Sequence, residues 1–151
     1  MVAIVRPDSW NLALLLHVLG AMLLVGTLIL AASALFLSWR DRSPALVRVA
    51  YRALIFGVLP SWVLMRAGAE WIASKEGLED SDLSWIGMGF TTSDGGIVAI
   101  VIAALLAGFA LRRSGRVAGS GGGLARGAAI LVALLVVAYL VTVWAMTTKP
   151  A

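Results

Sequence analysis

Long apolar runs alternate with short polar connections along this chain. Residues 11–39, 53–73, 96–111 and 128–146 form the runs, and among them only Arg66 and Glu70 are charged. A bilayer core about 30 Å thick is crossed by about 20 apolar residues in helical form. Each run reaches that length once its flanks are counted. A soluble four-helix protein would place charges along one face of every helix, and three of these runs hold none. The pattern predicts an all-α fold: four transmembrane helices in one antiparallel bundle, a single membrane domain over residues 1–151.

Finer periodicity gives the packing. In the first run, Trp10, Ala13, His17, Gly20, Leu24, Thr27, Ala31, Ala34 and Ser38 follow one another in alternating steps of three and four. That spacing suits left-handed helix packing. Close approach at small residues and interhelical hydrogen bonds drive association in lipid, so this stripe, His17 included, is expected to face protein. Ala99, Ala103 and Ala107 form a similar ladder in the third run, which otherwise offers nothing polar. In the second run Pro60 removes a backbone donor and frees the carbonyl near Phe56, so a kink is expected there.

The connections differ in character. "WRDRSP" is short, making the first two helices antiparallel neighbours, and its Ser43-Pro44 reads as a cap and first-turn pair. Residues 112–127 are glycine-rich and read as a tether between two hairpins; they lack the Lys-Ser/Thr of a phosphate loop. The longest connection, 75–96, contains "LSWIGMGF", an apolar segment expected to lie along the membrane surface. Its acids Glu76, Glu79, Asp80 and Asp82 lack calcium-loop spacing and read as a solvated acidic turn.

Composition agrees: 61% of residues are hydrophobic and 13% charged, far from soluble averages. The net charge of +4 raises nucleic acid as a partner, but the arginines sit at helix ends rather than along an exposed face. No nucleic-acid role is expected. Arg40, Arg42, Arg48 and Arg52 lie in the first connection and Arg112, Arg113, Arg116 and Arg126 in the third, whereas the opposite side is mostly acidic. By the positive-inside rule the Arg-rich ends are cytoplasmic and both termini outside. The "LAASA" segment resembles a signal cleavage site, yet its apolar run is too long and continues past it; the first helix is expected to be retained. Absence of cysteine excludes disulfides and thiol chemistry.

Polar residues inside the runs share a depth. At about 1.5 Å per residue, His17, Arg66 and Tyr139 all lie roughly 10 Å below the outer surface, with Glu70 and Thr142 one turn nearer to it. His17, Arg66, Glu70, Tyr139 and Thr142 are therefore the candidate site, a polar intramembrane cluster in the outer leaflet. Arg66 and Glu70, four residues apart, can pair, either as a snorkelling ion pair or as the wall of an outward-facing pocket. Three roles stand open for His17: a hydrogen bond to Tyr139, Glu70 or a backbone carbonyl; ligation of haem or a metal ion; or a proton relay. With one histidine and no cysteine there is no nucleophile–base–orienter set, so no catalytic residue is assigned.

The motifs "LHVLGAMLLVG", the Arg52–Pro60–"RAG" pattern of the second helix, and the terminal "WAMTTKP" resemble an uncharacterised family of small four-helix integral membrane proteins. The histidine-glycine helix is more distantly similar to membrane domains of the copper-resistance-D type. The resemblance implies a four-span bundle in which His17, Arg66 and the Lys149-Pro150 end are pattern residues, with no assigned activity. The sequence thus reads as a multi-pass protein of a bacterial inner (plasma) membrane, an accessory subunit or a small transport-related bundle. Its partners are expected to be the lipid bilayer and a second copy or a larger membrane complex. The alternative is a haem- or metal-handling protein with His17 as ligand.

Overall fold

A computed structural model describes residues 11–76, 84–115 and 122–148. Within them the chain forms α1 (Asn11–Asp41), α2 (Pro44–Ala53), a π-helical turn (Leu54–Val58), α3 (Leu59–Glu76), α4 (Ser84–Ser114) and α5 (Gly122–Thr148). The segment from α2 through α3 is one continuous rod, so the described residues form a bundle of four rods. The first rod packs against the second and against α5, and α4 packs against α5 and α2. Helices over Asn11–Asp41, Pro44–Lys75, Gly89–Ser114 and Gly122–Ala145 are long and apolar enough to cross a bilayer. The protein is an integral, multi-pass membrane protein.

Small side chains take much of the interior, beside Leu24, Leu28, Leu35, Leu54 and Ile100. Ala31, Ala50, Ala103, Ala107 and Ala128 are fully buried, whereas Met22, Phe56 and Leu134 are 69%, 77% and 61% exposed. A water-soluble protein would bury those large apolar side chains. The difference follows from the solvent: lipid tails gain nothing by excluding leucine, so contacts go to residues that let backbones approach. The three-and-four stripe of α1 is mostly buried: Ala13, Gly20, Leu24, Ala31, Ala34 and Ser38 turn inward together with Leu28 and Leu35, and His17 and Thr27 are half-buried.

Glycine brings α1 and α3 closest. A methyl group at Gly20 would meet the backbone nitrogen of Met65 and stand 2.7 Å from its Cα. One at Gly68 would stand 2.8 Å from the Cα of His17 and 3.0 Å from the carbonyl oxygen of Ala13. Each helix therefore lays a glycine on the other's backbone.

The break expected at Pro60 takes the form of the π turn. Leu59 N–H donates to Leu54 O, five residues back, and the wider turn accommodates the donor that proline lacks. Ser61 Oγ donates to the Gly57 carbonyl at 2.7 Å, and Gly57 makes room for Thr27: a Cβ there would lie 2.8 Å from its methyl carbon. Ser43 and Pro44 open α2 as expected, though the Ser43 side chain makes no cap hydrogen bond. Arg42 turns the chain between α1 and α2 at φ 50.

Two expectations need correction. Part of the 75–96 connection is helix: α4 begins at Ser84, so residues 84–90 of the apolar segment are its first turns rather than a separate surface element. In the 112–127 tether, α4 runs to Ser114 and α5 starts at Gly122, despite its adjacent glycines. Glu79, Asp80 and Asp82, with Trp10 and Lys149-Pro150, lie outside the described residues.

Candidate functional site

Four of the five expected residues divide among contacts in three seams, and the Tyr139 hydroxyl joins none of them. In the first seam, His17 Nδ1 meets the Met65 carbonyl oxygen at 3.0 Å. A carbonyl only accepts, so Nδ1 carries the proton and donates. Gly68 beneath the His17 backbone holds the two helices close enough for the imidazole to reach across to α3. Of the partners anticipated for His17, the backbone carbonyl is the one it takes, not Tyr139 or Glu70.

In the second seam, Arg66 binds two acids. Its Nη2 lies 3.1 Å from Glu70 Oε1 and 3.2 Å from Asp94 Oδ1. The guanidinium also sits 4.5 Å from the centroid of the Phe90 ring, a cation–π arrangement. The Arg66 side chain is only 20% exposed, whereas both carboxylates are more than 60% exposed. Two acids reaching inward from the rim thus neutralise a largely covered cation. The i,i+4 pair is as the sequence suggested; Asp94 and Phe90 are additions from α4.

The third seam joins α5 to α4. Thr142 Oγ1 lies 3.1 Å from Thr92 Oγ1 and donates locally to the Ala138 carbonyl at 2.9 Å. One hydroxyl proton serves one bond at a time, so Thr92 supplies the proton when Thr142 faces Ala138. Nearby, the Trp62 indole N–H of α3 donates to the Ser93 carbonyl of α4 at 3.0 Å. The third spanning helix begins before the apolar run 96–111, and its polar contacts come from that added stretch: Thr92, Ser93 and Asp94 each meet another rod. They escaped notice because "TTSDGG" carries turn and breaker residues. The missed signal is the buried three-and-four series Ser93, Gly96, Ile100, Ala103, Ala107, Ala110, which continues the alanine ladder backward past the glycines.

Tyr139 and Ser93 stand apart from this pattern. Both are 4% exposed, and neither hydroxyl makes a hydrogen bond of full geometry among the described residues, although the Trp62 side chain lies beside that of Tyr139. Gly96 accommodates the Tyr139 hydroxyl, which a Cβ at that position would strike. Removing an unpaired buried hydroxyl while keeping its ring relieves a desolvation cost. Tyr139→Phe is therefore expected to hold or raise the thermal midpoint of the purified protein, and a clear fall would show that the hydroxyl carries a hydrogen bond.

His17 spends one ring nitrogen on a backbone carbonyl, and both carboxylates on Arg66 meet its Nη2. No group of three or more His, Asp or Glu side chains with metal-binding geometry occurs among the described residues. Comparisons with protein-family models, with curated proteins and with solved structures find no match for this chain.

Proposed function

We propose that this protein is a non-enzymatic membrane component, an accessory subunit of a larger assembly. The observation that carries the reading is that four polar side chains at membrane depth end on a neighbouring rod: His17 on Met65, Arg66 on Asp94, Trp62 on Ser93 and Thr142 on Thr92. They fasten helices. The bundle axis is filled by Leu24, Leu28, Leu54, Val58, Ile100 and Val132, all fully buried, so a transport role would need further subunits. The arginine distribution supports a plasma (inner) membrane setting with the Arg-rich ends in the cytoplasm and both termini outside. Motif resemblance to the small four-helix family points the same way, since it too implies a bundle without assigned activity.

The test is to extract the tagged full-length chain from its own membranes in mild detergent and weigh the particle. The accessory reading expects a discrete species well above the 15.8 kDa of the chain, with a second polypeptide at fixed stoichiometry and no solute flux when the chain alone is placed in proteoliposomes. A particle containing only this chain that carries solute by itself contradicts it.

One observation favours a second reading, haem or metal ligation by His17. A ligating imidazole usually donates its other N–H to a carbonyl or carboxylate, and Nδ1 does so here, which leaves the Nε2 lone pair for a ligand. Absorption spectroscopy separates the two readings.

A further inference from the structure

At the Arg-rich end the seam between α2 and α4 opens into a groove. Gly108 and Tyr51 meet there: a Cβ on Gly108 would lie 3.2 Å from Tyr51 Cε2. With no side chain on that face of α4, a space of about 270 Å³ remains beside the tyrosine ring. Ala104, Leu105 and Phe109 line it and Arg112 stands at its end. Leu105 and Phe109 are half exposed, so the groove opens on the surface that faces lipid.

The two rods run in opposite directions, and that brings cations to its mouth. Arg112 is one turn beyond Gly108 on α4, and Arg48 is nearly one turn before Tyr51 on α2. The two positions lie about 6 Å and about 4.5 Å further toward the same end of the bundle. Arg48, Arg52 and Arg112 are exposed, and among the described residues none pairs with an acid. Asp41, the sole acid in the connections at this end, lies 3.6 Å from Arg40. The Tyr51 hydroxyl also has no hydrogen-bond partner among the described residues. The groove is apolar along its length and cationic at one end.

We infer that this groove binds an anionic phospholipid. One acyl chain lies along Ala104, Leu105 and Phe109, and the phosphate is held by Arg112 with Arg48. Charge complementarity selects the headgroup: basic side chains at the membrane surface attract anionic lipid over zwitterionic lipid, and guanidinium matches phosphate geometry. The inference stands apart from the accessory-subunit reading, since it needs only the bundle and its bilayer.

Native mass spectrometry of the full chain, released from nanodiscs of phosphatidylglycerol and phosphatidylcholine with identical acyl chains, reads the preference directly. The wild type is expected to retain phosphatidylglycerol preferentially, and Arg112→Gln to lower that preference about fivefold, the weight of one basic residue at an anionic surface. Gly108→Leu, which fills the groove, is expected to lower retention with every arginine kept. Arg40→Gln removes the same charge away from the groove and is expected to change nothing. Arg112 is exposed, so its variant tests charge without disturbing the core. Equal losses in Arg40→Gln and Arg112→Gln would reduce the effect to a diffuse field and overturn the site. So would equal retention of the two lipids by the wild type, or full displacement of phosphatidylglycerol by inorganic phosphate.

Discussion

Gly20→Leu is expected to cost about 3 kcal/mol of stability, the upper part of the range for overpacking a well-fitted interior. The cost is high because the obstruction is backbone. A Cβ at Gly20 meets the nitrogen and Cα of Met65, and neither can rotate away as a side-chain tip would. The seam would have to part, carrying with it the hydrogen bond from His17 to the Met65 carbonyl and the facing Gly68 contact. Gly26 provides the comparison: it lies on the same helix, is exposed, and a Cβ there has nothing within 4 Å. Gly26→Leu is expected to stay within about 0.5 kcal/mol of wild type, as surface substitutions usually do. Denaturation of the two variants in detergent micelles decides the point, and equal stabilities would mean that α1 and α3 do not meet at glycine.

Removing both acids around Arg66 is expected to be worse than the sum of removing each. Glu70→Gln leaves Asp94 on the guanidinium, and Asp94→Asn leaves Glu70, both on the same Nη2. Each single change leaves the other carboxylate on the guanidinium, so it is expected to cost about 1 kcal/mol or less. With both gone, a cation with a largely covered side chain keeps only the Phe90 ring, and the loss is expected to reach about 2–3 kcal/mol, the scale for an uncompensated charge in a membrane helix. Adding Arg66→Gln to the double variant then removes the charge itself and is expected to recover most of that loss. A cycle of the variants, read by thermal midpoint in the same detergent, measures the coupling. Additive small effects throughout would show that Arg66 reaches solvent on its own.

The architecture was legible because lipid imposes a strong pattern on sequence. Runs of bilayer length and the stripe from Ala13 to Ser38 each had one physical reading, and the four-rod bundle follows from them. The site was legible by depth but not by partner. His17, Arg66 and Tyr139 share a level, yet a level is not a contact: which faces meet depends on helix rotation, and the π turn at Leu54–Val58 resets that rotation between α2 and α3. An extra residue in one turn is not visible in composition, although Pro60 marks its neighbourhood. Asp94, Thr92 and Ser93 were hidden for a different reason. Local preference for turn at "TTSDGG" is overridden by tertiary contacts from Trp62, Arg66 and Thr142, and by Gly96 admitting the Tyr139 ring.

That polar residues at membrane depth fasten helices rather than hold a cofactor is the central claim, and His17 tests it most directly. The measurement is an absorption spectrum with elemental analysis on detergent-purified protein, wild type beside His17→Ala, with thermal stability recorded on both samples. The account expects no haem band and no stoichiometric metal in either, and a loss of about 1 kcal/mol in the variant, the net worth of one hydrogen bond. A Soret band or bound metal in the wild type that disappears in His17→Ala would contradict it and make the imidazole a ligand.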